Sequence, residues 1–181
     1  NSINDPPGNL SALGTLTMPM GFSLPLFSFP SPPSVTPGTT NIRVRRSNSP
    51  MTLPPGDYGE VRVSREVILY LEGGTYNLAS FRVGIRGQVL ANSTTTINVA
   101  GKVRFFGRVN FSPTEPTMSG RCLVLNTAWD KTVSLGRFDD VRAVVNAPAG
   151  YLRLGLLGSF IGNFTGAKVS VGRCTLVQAL L

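Results

Sequence analysis

The chain offers few side chains for acid–base or metal chemistry. Its 181 residues include no His and only nine Asp and Glu, so the commonest general base and the commonest metal ligand are missing. The one adjacent pair of carboxylates, Asp139-Asp140, follows a Gly-Arg-Phe segment, and this context predicts a solvated turn. A glycosidase pair of carboxylates from distant parts of the chain stays open as an alternative. We therefore expect a protein that is not an enzyme and carries no cofactor and no metal.

The two cysteines indicate the compartment in which the protein works. Cys122 and Cys174 are too far apart in sequence for a redox or metal-binding motif. An even count fits one disulfide, within a chain or between neighbouring chains, in an oxidising environment, although two free thiols fit the same count. We expect a secreted protein whose first residue, Asn1, is the mature end left after removal of a signal peptide.

A short segment is repeated six times along the chain, and its outward residues are the ones that could bind a partner. Each copy has an apolar, a polar and an apolar residue, followed in five of six copies by a small one. The copies begin at Val61, Phe81, Val103, Val133, Leu152 and Val169. Their starts differ by 20, 22, 30, 19 and 17 residues, and the longest interval contains an insertion near 112–131. A unit of roughly 20 residues with short strands and no helical period is typical of a parallel β-helix.

The predicted fold is therefore all-β. We expect a right-handed parallel β-helix of about six coils at 53–181, preceded by an extended Pro-rich arm at 1–52. A β-sandwich is the alternative, because it also contains short alternating strands, but it gives no reason for the segments to resemble one another. No transmembrane helix is expected, since eight prolines interrupt the longest uncharged stretch, from Pro6 to Ile42.

Arg occupies the middle of four of the repeated segments. If the segments stack in register, Arg62, Arg82, Arg104 and Arg153 form a basic stripe on one face, and Ser134 and Ser170 at the same position in their segments relieve its charge. With a net charge of +8, such a stripe fits an anionic glycan, a cell envelope or a neighbouring subunit. Arg side chains that merely spread over the apolar surface between coils are the alternative. A specific nucleic-acid partner is not expected, because the Phe side chains fall mostly at inward positions.

The arm contains a second pattern, at residues 16–26. Apolar side chains alternate there with Thr, Pro, Gly and Ser over eleven residues, as in a strand with one apolar face. The apolar positions are Leu16, Met18, Met20, Phe22, Leu24 and Leu26. Pro19 and Pro25 remove N–H donors from one strand edge only, so the other edge can still pair. We expect this strand to insert into a neighbouring copy, or alternatively to fold back over its own β-helix.

Several turn and core segments resemble those of a known group of proteins. Leu53-Pro54-Pro55-Gly56-Asp57-Tyr58, Gly73-Gly74-Thr75-Tyr76 and Ile97-Asn98-Val99-Ala100-Gly101 resemble secreted bacterial β-helix surface proteins, as do Asn146-Ala147-Pro148 and Gly158-Ser159-Phe160-Ile161-Gly162. The build is also similar to that of bactofilins, which polymerise through stacked β-helices. The resemblance covers most of 53–181 and implies an extracellular or cell-surface right-handed β-helix.

Three functions fit these patterns. The first is a subunit of an extracellular filament or surface layer, a homopolymer that assembles by donating its N-terminal strand. The second is a cell-surface adhesin that binds anionic polysaccharides. The third, a carbohydrate-active β-helix enzyme, is disfavoured by the absence of His and the scarcity of acids.

Overall fold

The computed structural model describes residues 34–115, 120–173 and 175–179. Within these ranges the chain forms sixteen strands, two 3₁₀ turns (Arg46–Asn48 and Gly120–Cys122) and no α-helix. The strands are β1 (Ile42–Val44), β2 (Met51–Leu53), β3 (Gly56–Val63), β4 (Ile68–Leu71), β5 (Gly74–Val83), β6 (Gln88–Ala91), β7 (Thr95–Val99), β8 (Val103–Phe105), β9 (Asn110–Pro113), β10 (Leu123–Thr127), β11 (Thr132–Ser134), β12 (Asp140–Arg142), β13 (Val144–Leu154), β14 (Ser159–Ile161), β15 (Phe164–Val171) and β16 (Leu176–Gln178). None of the described residues belongs to a helix of the length and hydropathy that a membrane span requires.

The strands wind into a parallel β-solenoid of about seven turns, so the predicted all-β parallel β-helix is confirmed. A complete turn has three strand segments. Face 1 contains β7, β10 and the first halves of the long strands β3, β5, β13 and β15. Face 2 contains β1, β8, β11 and the second halves of those long strands, and face 3 is the seven-stranded sheet β2-β4-β6-β9-β12-β14-β16.

The repeated segments stack on face 2 in the predicted register. Val61 pairs with Phe81 and Phe81 with Val103. Farther along, Ser134 pairs with Arg104 on one side and with Arg153 on the other, and β15 pairs with β13. The alternation within each segment is as expected, because Val103 and Phe105 are buried while Arg104 between them is exposed. The repetition in the sequence therefore reflects strand stacking.

The solenoid begins before the range that we assign to it from the sequence. The strand β1 pairs in register with β3, and β2 pairs with β4, so both belong to the first turn, although β1 lies within 1–52 and β2 begins there. In the range that we treat as an insertion, β10 is a regular face 1 strand paired with β7. Most of the additional residues fall, in the sequence, between the end of β9 and the start of β10.

The interior is a continuous apolar column. Phe81, Phe105 and Phe111 pack together with ring centroids 5.3–6.3 Å apart, and each is at most 2% exposed. Each buried side chain of this size contributes about 1.5–3 kcal/mol relative to exposure in water. The buried hydroxyl of Tyr76 donates a hydrogen bond to the Leu53 carbonyl at 2.8 Å, so its polar end is satisfied. The column holds the three faces, and thereby the outward side chains, in fixed positions.

A ladder of side-chain amides runs along the outside of face 1. Asn77 donates to Asp57 at 2.7 Å, Asn98 to Asn77 at 3.0 Å, Asn126 to Asn98 at 3.0 Å and Asn146 to Asn126 at 2.9 Å. The amide N–H groups point toward the first turn, where the Asp57 carboxylate accepts from the last of them. A negative charge at the positive end of aligned amide dipoles is favourable. The ladder therefore fixes the register of face 1 from its solvent side.

The connections between faces 2 and 3 also stack. Their second-last residue has positive φ in five successive turns, at Glu66, Arg86, Arg108, Phe138 and Leu157. The N–H of that residue donates to a carbonyl of the next turn, for example from Arg86 to Gly107 at 3.1 Å and from Arg108 to Arg137 at 2.7 Å. These hydrogen bonds offset the steric cost of a left-handed conformation in residues other than Gly.

Candidate functional site

The predicted Arg stripe is present on face 2. Arg62 pairs with Arg82, and Arg82 with Arg104, on consecutive turns. Arg153 lies two turns farther along, beyond Ser134, as the register predicts. Arg43, which we did not include, extends the stripe because it pairs with Arg62. We call these five side chains, together with Ser134 between Arg104 and Arg153 and Ser170 next to Arg153, the arginine ladder.

The ladder has few acidic partners among the described residues. Nε of Arg82 lies 3.2 Å from a carboxylate oxygen of Glu60. The guanidinium of Arg104 lies 4.5 Å from the ring centroid of Phe106. Successive turns are about 4.8 Å apart, and two like charges at that distance repel by about 1 kcal/mol even in water. The ladder thus holds unbalanced positive charge in a fixed row.

The connection next to the ladder has its own ion cluster. The Glu66 carboxylate forms ion pairs with Arg86 at 3.0 Å, with Arg65 at 3.1 Å and with Arg46. Hydrogen bonds from Arg86, Arg65 and Arg46 hold the pKa of Glu66 below its ordinary value. One carboxylate faces three guanidinium groups here, so the cluster leaves the surface positive.

The acidic pair at 139–140 differs from our prediction. Asp140 is exposed, but Asp139 is 1% exposed, so a solvated turn is wrong for Asp139. Its carboxylate accepts hydrogen bonds from the N–H groups of Val109, at 2.9 Å, and Gly136. Burial raises the pKa of Asp139 to about 6, although these two N–H donors oppose the shift. The side chain joins two successive turns, which explains its burial without any catalytic role.

The final described turn, β15 and β16, has a different kind of surface. Its inward-facing side chains Val169, Val171 and Val177 are 42%, 50% and 45% exposed. Leu152 and Phe160, the residues that pair with two of them one turn earlier, are fully buried. Among the described strands, only β13 pairs with β15 and only β14 pairs with β16. We call this surface the open edge.

Three other predictions concern cysteines, metals and the arm. Cys122 is half-buried at the end of a 3₁₀ turn, and Cys174 lies outside the described residues, so the disulfide stays a prediction. No group of three or more His, Cys, Asp or Glu within the described ranges is placed to hold a metal ion. The assembly strand 16–26 also lies outside the described residues.

Comparison with protein-family models, with curated proteins and with solved structures finds no match.

Proposed function

We propose that the protein is a non-enzymatic structural subunit of a bacterial extracellular filament or surface layer, in which one copy donates its N-terminal strand to the next. The open edge is the observation that carries this proposal. It combines half-exposed apolar side chains with strand edges that no described strand covers. Such an edge is a template for pairing with another strand.

The arm has the composition that the open edge requires. In an extended conformation, the eleven residues of its segment 16–26 would place six apolar side chains on one face. The continuous strands across faces 1 and 2 have similar lengths, 10 residues in β5 and 11 in β13. A donated strand of this length can therefore add the next rung to β15. Its apolar side chains would cover Val169 and Val171, and its unblocked edge would supply the hydrogen bonds.

The positions of donor and acceptor favour a polymer. The arm leads into β1, in the first turn, whereas the open edge lies at the opposite end of the stack. At the first turn the inward side chains of Val44 and Leu53 are already buried, 0% and 3% exposed. A donor and an acceptor on opposite ends form a heterologous contact, which grows into a filament unless it closes into a ring. A secreted protein of bactofilin-like build would form a surface polymer in this way.

Deleting residues 1–33 tests the proposal while leaving the described solenoid intact. We expect the full chain to form filaments visible by negative-stain microscopy and the truncated chain to sediment as a monomer. A peptide of residues 14–28 should bind the truncated chain, because the open edge is then vacant. Equal assembly of the two chains, or a monomeric full chain at high concentration, would contradict the proposal.

Two matched variants of the full chain test whether assembly requires the apolar face of the arm or only an arm of that length. Met20→Ser with Phe22→Ser changes the apolar face, which we propose is buried against the open edge of the next copy, and the double substitution should abolish assembly. Thr17→Ala with Ser23→Ala changes the opposite face, and it should leave assembly unaltered. Similar effects of both pairs would mean that the arm does not bind as an amphipathic strand.

A further inference from the structure

The positive charge of the molecule is concentrated on one side. We call face 2, with the connections on either side of it, the basic side. Fifteen of the seventeen Lys and Arg residues lie there: Arg43, Arg45, Arg46, Arg62, Arg65, Arg82, Arg86, Lys102, Arg104, Arg108, Lys131, Arg137, Arg153, Lys168 and Arg173. Its acids are Glu60, Glu66, Asp130 and the buried Asp139. Arg121 and Arg142 lie elsewhere, with Asp57, Glu72, Glu115 and Asp140.

The basic side also has surface depressions. One of them, of about 340 Å³, lies over the bend between faces 1 and 2, and Lys102, Arg104 and Lys131 contribute its cations. Trp129 provides an aromatic wall, and Lys131 Nζ lies 5.5 Å from its ring centroid. A second depression follows the ladder past Ser134 to Arg153 and Ser170.

The serine residues of the ladder connect these depressions. Ser134 lines both of them, and it stands in register between Arg104 and Arg153. A small side chain at that position leaves space where Arg would fill the surface. The result is a path along the solenoid with guanidinium groups at intervals and hydroxyl groups between them.

We propose that this path binds a linear acidic polysaccharide, with its carboxylate or sulfate groups on the arginine ladder and one sugar ring against Trp129. An indole ring packs well against the apolar face of a sugar, while the surrounding cations and hydroxyls suit its acidic and hydroxyl groups. Binding of a polyanion also relieves the repulsion between neighbouring guanidinium groups. The spacing of successive turns, about 4.8 Å, is close to the advance of one sugar residue in an extended chain.

A polysaccharide fits these features better than a nucleic acid or a membrane does. Binding of single-stranded nucleic acid uses several aromatic rings on which successive bases stack. The exposed rings of Phe106 and Phe138 stand on the corner beside the ladder, and Arg104, Arg108 and Arg137 lie over them at 4.5–5.6 Å. Phe106 and Phe138 also occupy different positions in their two connections, so they do not form a row of rings on which successive bases could stack.

The single Trp of the chain gives a direct readout, because all indole fluorescence comes from Trp129. Titration of the full chain with a hexamer of galacturonic acid in 150 mM salt should change this emission saturably. A neutral glucose hexamer should not change it. An absent response to the acidic hexamer, or an equal response to the neutral one, would overturn the proposal.

Charge-matched variants test whether binding depends on position or only on net charge. Arg62→Ser with Arg104→Ser should weaken binding of polygalacturonate by about 5- to 30-fold, equivalent to about 1–2 kcal/mol. Arg121→Ser with Arg142→Ser removes the same charge away from the basic side and should change binding less than twofold. Circular dichroism of each variant checks the fold. Equal losses in the two pairs would show non-specific attraction and would refute the site.

Competing ligands identify the class of partner. Polygalacturonate and dextran sulfate represent carboxylated and sulfated polysaccharides, and tighter binding of either one supports this proposal. A thymidine 30-mer and vesicles of phosphatidylglycerol represent the other polyanions. If the oligonucleotide or the vesicles bind more tightly than both polysaccharides at 150 mM salt, the basic side serves that partner and the proposal is wrong.

Discussion

Replacing Asp139 with Asn changes how the stability of the solenoid depends on pH. The Asp139 carboxyl is 1% exposed, and its pKa is raised from 3.8 to about 6 by burial. Between these two values the native state holds a proton that the unfolded chain has released. The native state then binds more protons than the unfolded state, so this group's contribution to stability falls as pH rises through the window.

The size of the effect follows from the difference between the two pKa values. About two units correspond to about 3 kcal/mol between pH 3 and pH 7. The amide of the Asp139→Asn variant has no such titration. The free energy of unfolding of the wild type minus that of Asp139→Asn should therefore fall by up to about 3 kcal/mol as pH rises from 3 to 7. Most of this fall should occur between about pH 4 and pH 6.

Equilibrium unfolding in urea at several pH values measures this difference. Asp140→Asn is the matched control, because Asp140 is adjacent and exposed, and its curve should not show the same pH dependence. Parallel curves for the wild type and Asp139→Asn would refute the argument from burial. A difference that increases with pH would show that the N–H donors of Val109 and Gly136 outweigh desolvation.

Two further substitutions test the packing between turns. Asn98→Ala removes one hydrogen bond to Asn77 and one from Asn126, so it should lower the free energy of unfolding, measured in urea, by about 1–3 kcal/mol. Thr96→Ala, on the same face of β7, should lower it by less. Equal losses for the two variants would argue against a stabilising role of the amide ladder. Gly155→Ala places a Cβ against the backbone carbonyl of Gly136 and should cost about 1–3 kcal/mol or prevent folding, so an unaltered melting temperature would show that the turns are not packed this closely.

The fold was predictable because each turn repeats one local pattern. The segments at Val61, Phe81 and Val103 alternate inward and outward side chains, and stacking is the arrangement that buries all of them together. The same alternation predicts the arginine ladder, because the middle residue of every stacked segment points outward. It also applies to Ile42-Arg43-Val44, 19 residues before Val61, where the abundance of proline nearby concealed the first turn.

Features that depend on contacts between turns were not predictable in the same way. Asn77, Asn98 and Asn146 recur in similar segments, but Asn126 lies within the range of the insertion, and the amide ladder requires all four in register. Asp139 resembles any acidic turn residue until Val109, thirty residues earlier, is placed beside it. The Trp129 depression needs the bend of one turn and the ladder of another. Each of these features depends on the distance between residues of different turns, and the local sequence pattern does not specify that distance.

Cross-linking between two differently labelled copies tests strand donation most directly. Both copies would carry Cys122→Ser and Cys174→Ser, one with Met20→Cys in the arm and the other with Val169→Cys at the open edge. After mixing and oxidation, we predict a disulfide that joins the two copies covalently. A competing arm peptide should lower the yield of this cross-link. A disulfide that forms only when both new cysteines are in the same chain would show that the arm folds back on its own solenoid. Together with a monomeric full chain, that result would contradict assembly by strand donation.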